Sequence, residues 1–438
     1  MASTQIMPAP RKILIAGGGP AGATCGERLA RAGCAVTIFE ERRGWEKPCG
    51  GGVTWKTLER YPYLLDGGVE KKLIRSVELI AGNGARVRLA LSRPLAIYSR
   101  AALNSFLLRR AEAAGCTVVP ARALSARTDV TGARLRTAGG EFAGDFLVIA
   151  TGARTTLSFE HRAGGNGGEQ AWPPGPGDLE LTLGYYLPIQ DDLLRVQFLE
   201  NFEGYLWSFP RADHLAVGIC GKLAQNSSAG LKEKLHRFLA AESIPLRGGA
   251  FYSHLLPSLE RPTWKRLPLG GPAEARIGDA AGLVDPITGE GIYYALRSGE
   301  LLAEALIHAD ARSYAARVEE DFARELRCAA AWQPAFYRGR WLGVNTTGRM
   351  IQLGRRSARF RELLDDLFAG AQSYRGVKWR LARLALPGAF DRVTSRRNRK
   401  ALFRPSGAAR LGPSTSPLDG ARDRLRASSG QGSRWTDQ

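Results

Sequence analysis

Residues Lys12-Ile13-Leu14-Ile15-Ala16-Gly17-Gly18-Gly19-Pro20-Ala21-Gly22 decide the fold. The apolar run 12–16 does not alternate, as expected of a strand buried on both faces of a parallel sheet. It leads into a glycine turn that satisfies G-x-G-x-x-G. Gly17 permits the tight turn, Gly19 lets a pyrophosphate approach the backbone, and Gly22 allows the next helix to pack closely on the strand. That helix spans Pro20 to Ala32 and stops at Gly33; a second buried strand, Ala35 to Phe39, closes at Glu40. Free N–H groups at the helix start, around Pro20 and Ala21, face phosphates with a partial positive charge. Glu40 stands 18 positions after Gly22, where a carboxylate accepts from a ribose hydroxyl. An acid there favours FAD or NAD over a 2′-phosphorylated nucleotide.

A second, distant element separates FAD from NAD. Arg276-Ile277-Gly278-Asp279-Ala280-Ala281-Gly282 carries a carboxylate into a glycine turn and continues through Asp285-Pro286-Ile287-Thr288-Gly289-Glu290-Gly291 to a helix beginning near Ile292. This resembles the G-D element of the flavoprotein hydroxylase-like fold. The resemblance implies that Asp279, beside Gly278, binds the ribityl chain of FAD. It also implies that Pro286, Gly289, Gly291 and Ile292 lie at the isoalloxazine ring, where the helix start stabilises negative charge on reduced flavin. Ile149-Ala150-Thr151-Gly152 is similar to a third cofactor element of that fold, and Arg100 stands where the fold often brings an arginine to the flavin.

Three further stretches narrow the resemblance. Lys47-Pro48-Cys49-Gly50-Gly51-Gly52 resembles the K-P-C-G-G element of the geranylgeranyl reductase family of FAD-dependent oxidoreductases, and Tyr205-Leu206-Trp207-Ser208-Phe209-Pro210-Arg211 its Y-x-W-x-F-P segment. Leu367 to Tyr374 is similar to a helical stretch of bacterial members, so the resemblance covers residues 12–385. It implies reduction of C=C bonds in a polyprenyl or other apolar isoprenoid substrate. NADPH, NADH or a reduced ferredoxin would be a transient electron donor, since no second G-x-G-x-x-G is present. The aromatic segment also looks like a distant cousin of the W-x-W-x-I-P segment of flavin-dependent halogenases, so a monooxygenase or halogenase-like enzyme is the same-fold alternative. A non-redox, flavin-bound isoprenoid cyclase or binding protein is the alternative from another class.

Physically, Tyr205 and Trp207 lie two apart and point to one face of a strand. An aromatic wall suits a long apolar substrate; plain core packing is the competing account. Cys49 is a candidate to donate a proton or shape the pocket, against a small buried cysteine in a glycine loop.

The fold class expected is α/β: a Rossmann-type FAD-binding βαβ domain with a parallel sheet (residues 1–73, 99–160 and 271–310), interleaved with an antiparallel-sheet substrate domain (74–98 and 178–270). A C-terminal helical region (311–390) and a basic, disordered tail (391–438) follow. Within these, Arg100 to Ala114 is expected to be helical, as are 291–308, 311–343 and 357–386, and Gly164 to Gly177 an extra loop.

At 438 residues, with 44% apolar and 24% charged residues, the chain is ordinary globular material too long for a single core. No apolar run reaches the roughly 18 residues of a membrane-spanning helix, and Met1 to Lys12 lacks a signal pattern. The expectation is a cytoplasmic protein, with peripheral contact at an anionic inner membrane face as an option that the net charge of +20 makes reasonable. No nucleic-acid motif accompanies that charge. The six cysteines and five histidines form no disulfide framework or metal pattern, so neither a disulfide nor a metal is expected.

Overall fold

The computed structural model describes residues 11–385 except 155–156, 160–174, 268, 272 and 342. Most of the expected loop at Gly164 to Gly177, and the whole expected tail 391–438, lie outside the described residues.

Lys12–Ala16 is the centre of a five-stranded parallel sheet ordered Glu274–Arg276, Phe146–Ile149, Lys12–Ala16, Ala35–Phe39, Thr117–Val119. Ile13 to Ala16 are fully buried, which is why the run carries no polar alternation. The following helix, Pro20–Arg31, begins on a proline that has no N–H to leave unpaired. It ends at Gly33 in the left-handed region (φ +90°). Its inner face packs on the sheet and on the helix Ile292–Ile307, where Gly299 is required: a Cβ there would meet Ala21 O at 2.4 Å.

The second layer is an eight-stranded sheet ordered Ala250–Pro257, Leu179–Leu187, Leu215–Lys222, Gly204–Pro210, Leu194–Gln197, Lys71–Ile80, Arg86–Tyr98, Gly52–Val53. The expectation of an antiparallel sheet holds for every pairing but one, because Leu194–Gln197 runs parallel to Lys71–Ile80. Those strands come from separate hairpin systems far apart in sequence, so no tight turn forces them antiparallel. Along Gly204–Pro210, Leu206 points to a core shared with the helix Ser228–Ala241, through Leu231, Leu235 and Phe238. Tyr205 and Phe209 point to the opposite face, packed with Tyr337, Phe360 and Leu364 of the C-terminal helices.

Beside the helix Ser228–Ala241, which was not expected either, three further features stand out. Gly52–Val53, inside the glycine loop, adds an edge strand against Ala96 and Ile97. Ser125–Asp129, Gly132–Thr137 and Gly140–Gly144 form two hairpins of a separate small sheet. The helix Thr346–Arg356, capped by the Asn345 side chain, is the third. The single helix expected over 311–343 is Ser313–Val318, a π turn at Glu319–Ala323, and Arg324–Arg338. That over 357–386 breaks at Gly370 (φ +73°) into Ala358–Phe368 and Tyr374–Ala385.

Candidate functional site

The parallel sheet and the large sheet face one another across a cleft of about 690 Å³. One end of the cleft is the glycine turn. Gly17 has φ +108°, and a Cβ there would meet Ala150 O at 2.3 Å; a Cβ on Gly22 would meet Gly17 O at 2.0 Å. Gly22 therefore seats the helix against the turn rather than lining the cleft. Gly19 is different: no atom lies within 4 Å of its absent Cβ, and it caps Pro20–Arg31 without any side-chain partner. Gly19, Pro20 and Ala21 line the cleft with an unsealed helix N-terminus, the geometry that receives a pyrophosphate. At the end of the second strand Glu40 also lines it, its carboxylate oriented by the N–H groups of Gly18 (2.8 Å) and Arg42 (2.9 Å).

The other end is built on the G-D element. Asp279 accepts from Lys47 Nζ at 2.6 Å. Burial pushes its carboxyl up, but Lys47, with Arg100, more than offsets this and holds it below the ordinary carboxylate range. Arg100, buried at the start of the helix Arg100–Ala113, lines the cleft with Thr151, Gly152, Gly289, Gly291 and Ile292. Gly278 does not; it sits at φ +59° against Ala21 and Ala295, its N–H donated to Ser298 Oγ at 2.9 Å.

The turn between Asp285 and Gly291 is held from all sides. Asp285 accepts from the N–H groups of Ile287 (2.8 Å) and Thr288 (3.1 Å), and from the Tyr374 hydroxyl (2.7 Å). The carbonyls of Pro286, Ile287 and Thr288 accept from Gln333, Tyr337 and Tyr205. Pro286 is thus a buried clamp point outside the cleft wall. Glu290, whose carboxylate accepts from Tyr293 N–H at 2.8 Å at the start of Ile292–Ile307, is pushed by burial up to about 7.

These residues fit one elongated nucleotide. Two helix N-termini, the open face at Gly19, the Asp279 carboxylate and the buried Thr151 hydroxyl, which has no partner, meet in the same cleft. The last has no partner among the described residues and is a polar atom that a ligand or a water in the cleft can satisfy.

Facing that end, Tyr205, Trp207 and Phe209 all line the cleft, the first two rings 5.7 Å apart. Cys49 lines it too, its sulfur accepting from Gly51 N–H at 3.2 Å. The glycines around it answer to packing: a Cβ on Gly50 would meet the Phe209 ring at 2.4 Å. Gly51, at φ +79°, leaves 2.1 Å to Tyr98 O. Four residues missed in the sequence complete the site. Arg211, fully buried, donates to Glu46 (2.5 Å) and to Cys49 O (2.6 Å), while Glu46 also accepts from the N–H groups of Arg100 and Ala101 at the helix start. His254 is pushed down to about 3 by burial and by Lys47, so its ring is neutral at physiological pH. Lys47 and Arg211 stood inside the two quoted segments; Glu46 and His254 had no local pattern to mark them.

Residues 15–63 match the family model for an NAD(P)-binding Rossmann-like domain. The chain is 29% identical over 365 residues to a chloroplastic geranylgeranyl diphosphate reductase of Oryza sativa, covering 74% of this chain and 73% of the relative. It is 27% identical to digeranylgeranylglycerophospholipid reductase 1 of Methanopyrus kandleri, over 72% and 88% of the two chains. Over about three quarters of its length this chain is similar to enzymes named geranylgeranyl diphosphate reductase and digeranylgeranylglycerophospholipid reductase. The fold is shared with a geranylgeranyl bacteriochlorophyll reductase-like protein from Thermoplasma acidophilum, which superposes with a TM-score of 0.67 at 22% identity, over 86% of this chain and 99% of that one. A flavin-dependent brominase superposes with a TM-score of 0.61 at 15% identity over 86% and 99%, so the fold alone extends beyond reductases. FAD is the cofactor that these likenesses support for this chain. Among the described residues no group of His, Cys, Asp or Glu could hold a metal, and no helix is long and apolar enough to cross a membrane.

Proposed function

We propose that this oxidoreductase saturates carbon–carbon double bonds of a polyprenyl or similarly apolar isoprenoid. The observation that carries this is the aromatic face of Tyr205, Trp207 and Phe209 sharing one cleft with the cofactor elements. The names of the two relatives, reductases of a geranylgeranyl diphosphate and of a geranylgeranyl lipid, support the same substrate class.

FAD would lie with its pyrophosphate at Gly19–Ala21, a ribose at Glu40, its ribityl chain at Asp279 and its ring by Gly289, Gly291 and Ile292; when reduced it supplies the hydride. The residues of the chain do the rest. Arg100 and the start of Ile292–Ile307 offset negative charge at the ring. Thr151 and Gly152 border it. Tyr205 and Trp207 hold an alkene against the ring and exclude water, and an isolated alkene has no oxyanion to stabilise, so positioning carries most of the rate. The ionisable groups nearby fit that role: Asp279 is paired with Lys47, Glu46 with Arg211, and His254 is neutral. The Cys49 thiol would give the proton that completes the saturation.

NADPH, NADH or reduced ferredoxin would deliver the electrons transiently. A cytoplasmic protein whose substrate dissolves in lipid would work in peripheral contact with an anionic membrane face. The test is anaerobic incubation with dithionite and a panel of polyprenyl diphosphates and prenylated lipids, followed by mass spectrometry. Products heavier by pairs of hydrogens support the proposal. Strict dependence on oxygen, with a gained oxygen or halogen atom, would establish the monooxygenase or halogenase alternative instead.

A further inference from the structure

We propose that the outward face of the helix Tyr374–Ala385 is the surface through which this protein docks on an anionic lipid bilayer. This deepens the membrane contact proposed above and rests on it only for the identity of the partner.

The helix contains Arg375, Lys378, Arg380 and Arg383 and no acid. Its first turns are anchored. The Tyr374 hydroxyl reaches Asp285, its N–H is accepted by Glu325 at 2.9 Å, and Val377 is buried in the core beneath the large sheet. Arg380 is turned inward onto Asp366 and Gln372. The opposite stripe, spaced i, i+3, i+4, i+7, i+8, is Arg375, Lys378, Trp379, Ala382 and Arg383. All five are exposed. Trp379 sits at the middle of that stripe and is 76% exposed, more than any other exposed large hydrophobic among the described residues; Leu381 beside it is 37% exposed. Among the described residues Arg375, Lys378 and Arg383 form no ion pair; Lys378 stands 5.3 Å from the Trp332 ring, and it and Arg375 act electrostatically on the neighbouring Cys328 thiol.

An isolated aromatic ringed by unpaired cations is the composition of a surface that lies in the headgroup layer, ring toward the acyl boundary and cations on lipid phosphates. An acidic protein partner would match the charge but would leave the central indole without its apolar half. The sequence continues basic beyond the described residues, at Arg396-Arg397-Asn398-Arg399-Lys400, so charge complementarity again selects an anionic partner over a neutral one. Through Tyr374 and Asp285 the same helix is tied to the turn bordering the flavin end of the cleft, which would bring the cleft to the lipid that carries its substrate.

The experiment is co-sedimentation of the full-length, FAD-loaded protein with vesicles of phosphatidylcholine alone and of equal parts phosphatidylcholine and phosphatidylglycerol, at low and high salt. Binding is expected only to the anionic vesicles and should weaken with salt. Lys378→Gln with Arg383→Gln should lower the partition coefficient about 25-fold, at roughly fivefold per basic group near an anionic surface. Trp379→Ala should lower it about threefold to tenfold, through burial of part of one large side chain. Retained flavin content confirms that the variants are folded. The proposal is overturned if the parent ignores anionic vesicles, if it binds phosphatidylcholine equally well, or if the variants bind as the parent does, which would place the contact elsewhere, in the basic tail for example. No substrate is present, so failure to reduce isoprenoids leaves this result standing, and loss of vesicle binding leaves the reductase proposal standing.

Discussion

Arg211→Met would remove the guanidinium that locks the glycine loop while keeping most of the side-chain volume. Arg211 is fully buried and its partner Glu46 is 23% exposed. Breaking a buried ion pair from one side costs ~3–5 kcal/mol. Glu46 keeps three donors, the Ser99 hydroxyl and the N–H groups of Arg100 and Ala101, which brings that cost down to about 2 kcal/mol. The carbonyl of Cys49 loses its only side-chain donor, adding about 1 kcal/mol. A total near 3 kcal/mol falls on local opening of residues 46–52, because both contacts are made there. At about 1.4 kcal/mol per tenfold, the open population should rise about 100-fold. The assay is mass-spectrometric mapping of alkylation by iodoacetamide in the native protein, with buried Cys25 and Cys116 as internal references. Cys49 should react faster, by up to about 100-fold to the extent that its reaction runs through loop opening, and the references no faster. Alkylation of Cys49 at the parent's rate, in a folded variant, would refute the idea that Arg211 holds the loop.

Asp279→Ala removes the carboxylate proposed to hold the ribityl chain and takes from Lys47 its ion-pair partner. FAD should bind about 10- to 100-fold more weakly, seen as loss of yellow colour on desalting; undiminished flavin content would contradict the assignment. Trp207→Ala should leave flavin content near normal while lowering turnover of the isoprenoid substrate, whereas a loss of flavin would move Trp207 into the cofactor site. Glu290 has a folded-state value raised from 4.5 to about 7, so the native state holds the extra proton and stability should fall as pH rises from about 4.5 to about 7, then level off. In flavin-free protein Glu290→Gln, which keeps the acceptor for Tyr293 N–H, should flatten that decline by as much as ~3 kcal/mol. Parallel pH profiles of the urea midpoint for parent and variant would rule this out.

Long-range assembly explains which site residues were legible. Gly17, Gly19 and Glu40 could be found because strand, turn, helix and strand are contiguous, and each residue's task follows from its neighbours along the chain. Asp279 was recognisable for the same reason at its own turn. Glu46 and His254 were not, since neither belongs to a local pattern. Glu46 is defined by Arg211, 165 positions away, and His254 by Lys47 and Asp279 across the cleft. Gly22 packs the helix on the turn as its place in the motif implies, whereas Gly278 and Pro286, read as cofactor neighbours, are spaced for helix packing and clamped by Gln333 respectively.

By itself the sequence determined that a dinucleotide-type cofactor sits on a parallel sheet and that a second glycine turn belongs to the same site. It also placed Tyr205 and Trp207 on one side of a strand. These are consequences of backbone stereochemistry and side-chain period, which need only a few consecutive residues. Only the tertiary structure decided that the aromatic face meets the glycine loop, that Cys49 is held by Arg211, and that two hairpin systems join through a parallel pair. Such choices are made by burial and by pairing of charges between segments far apart in the chain, where no local periodicity records the partner.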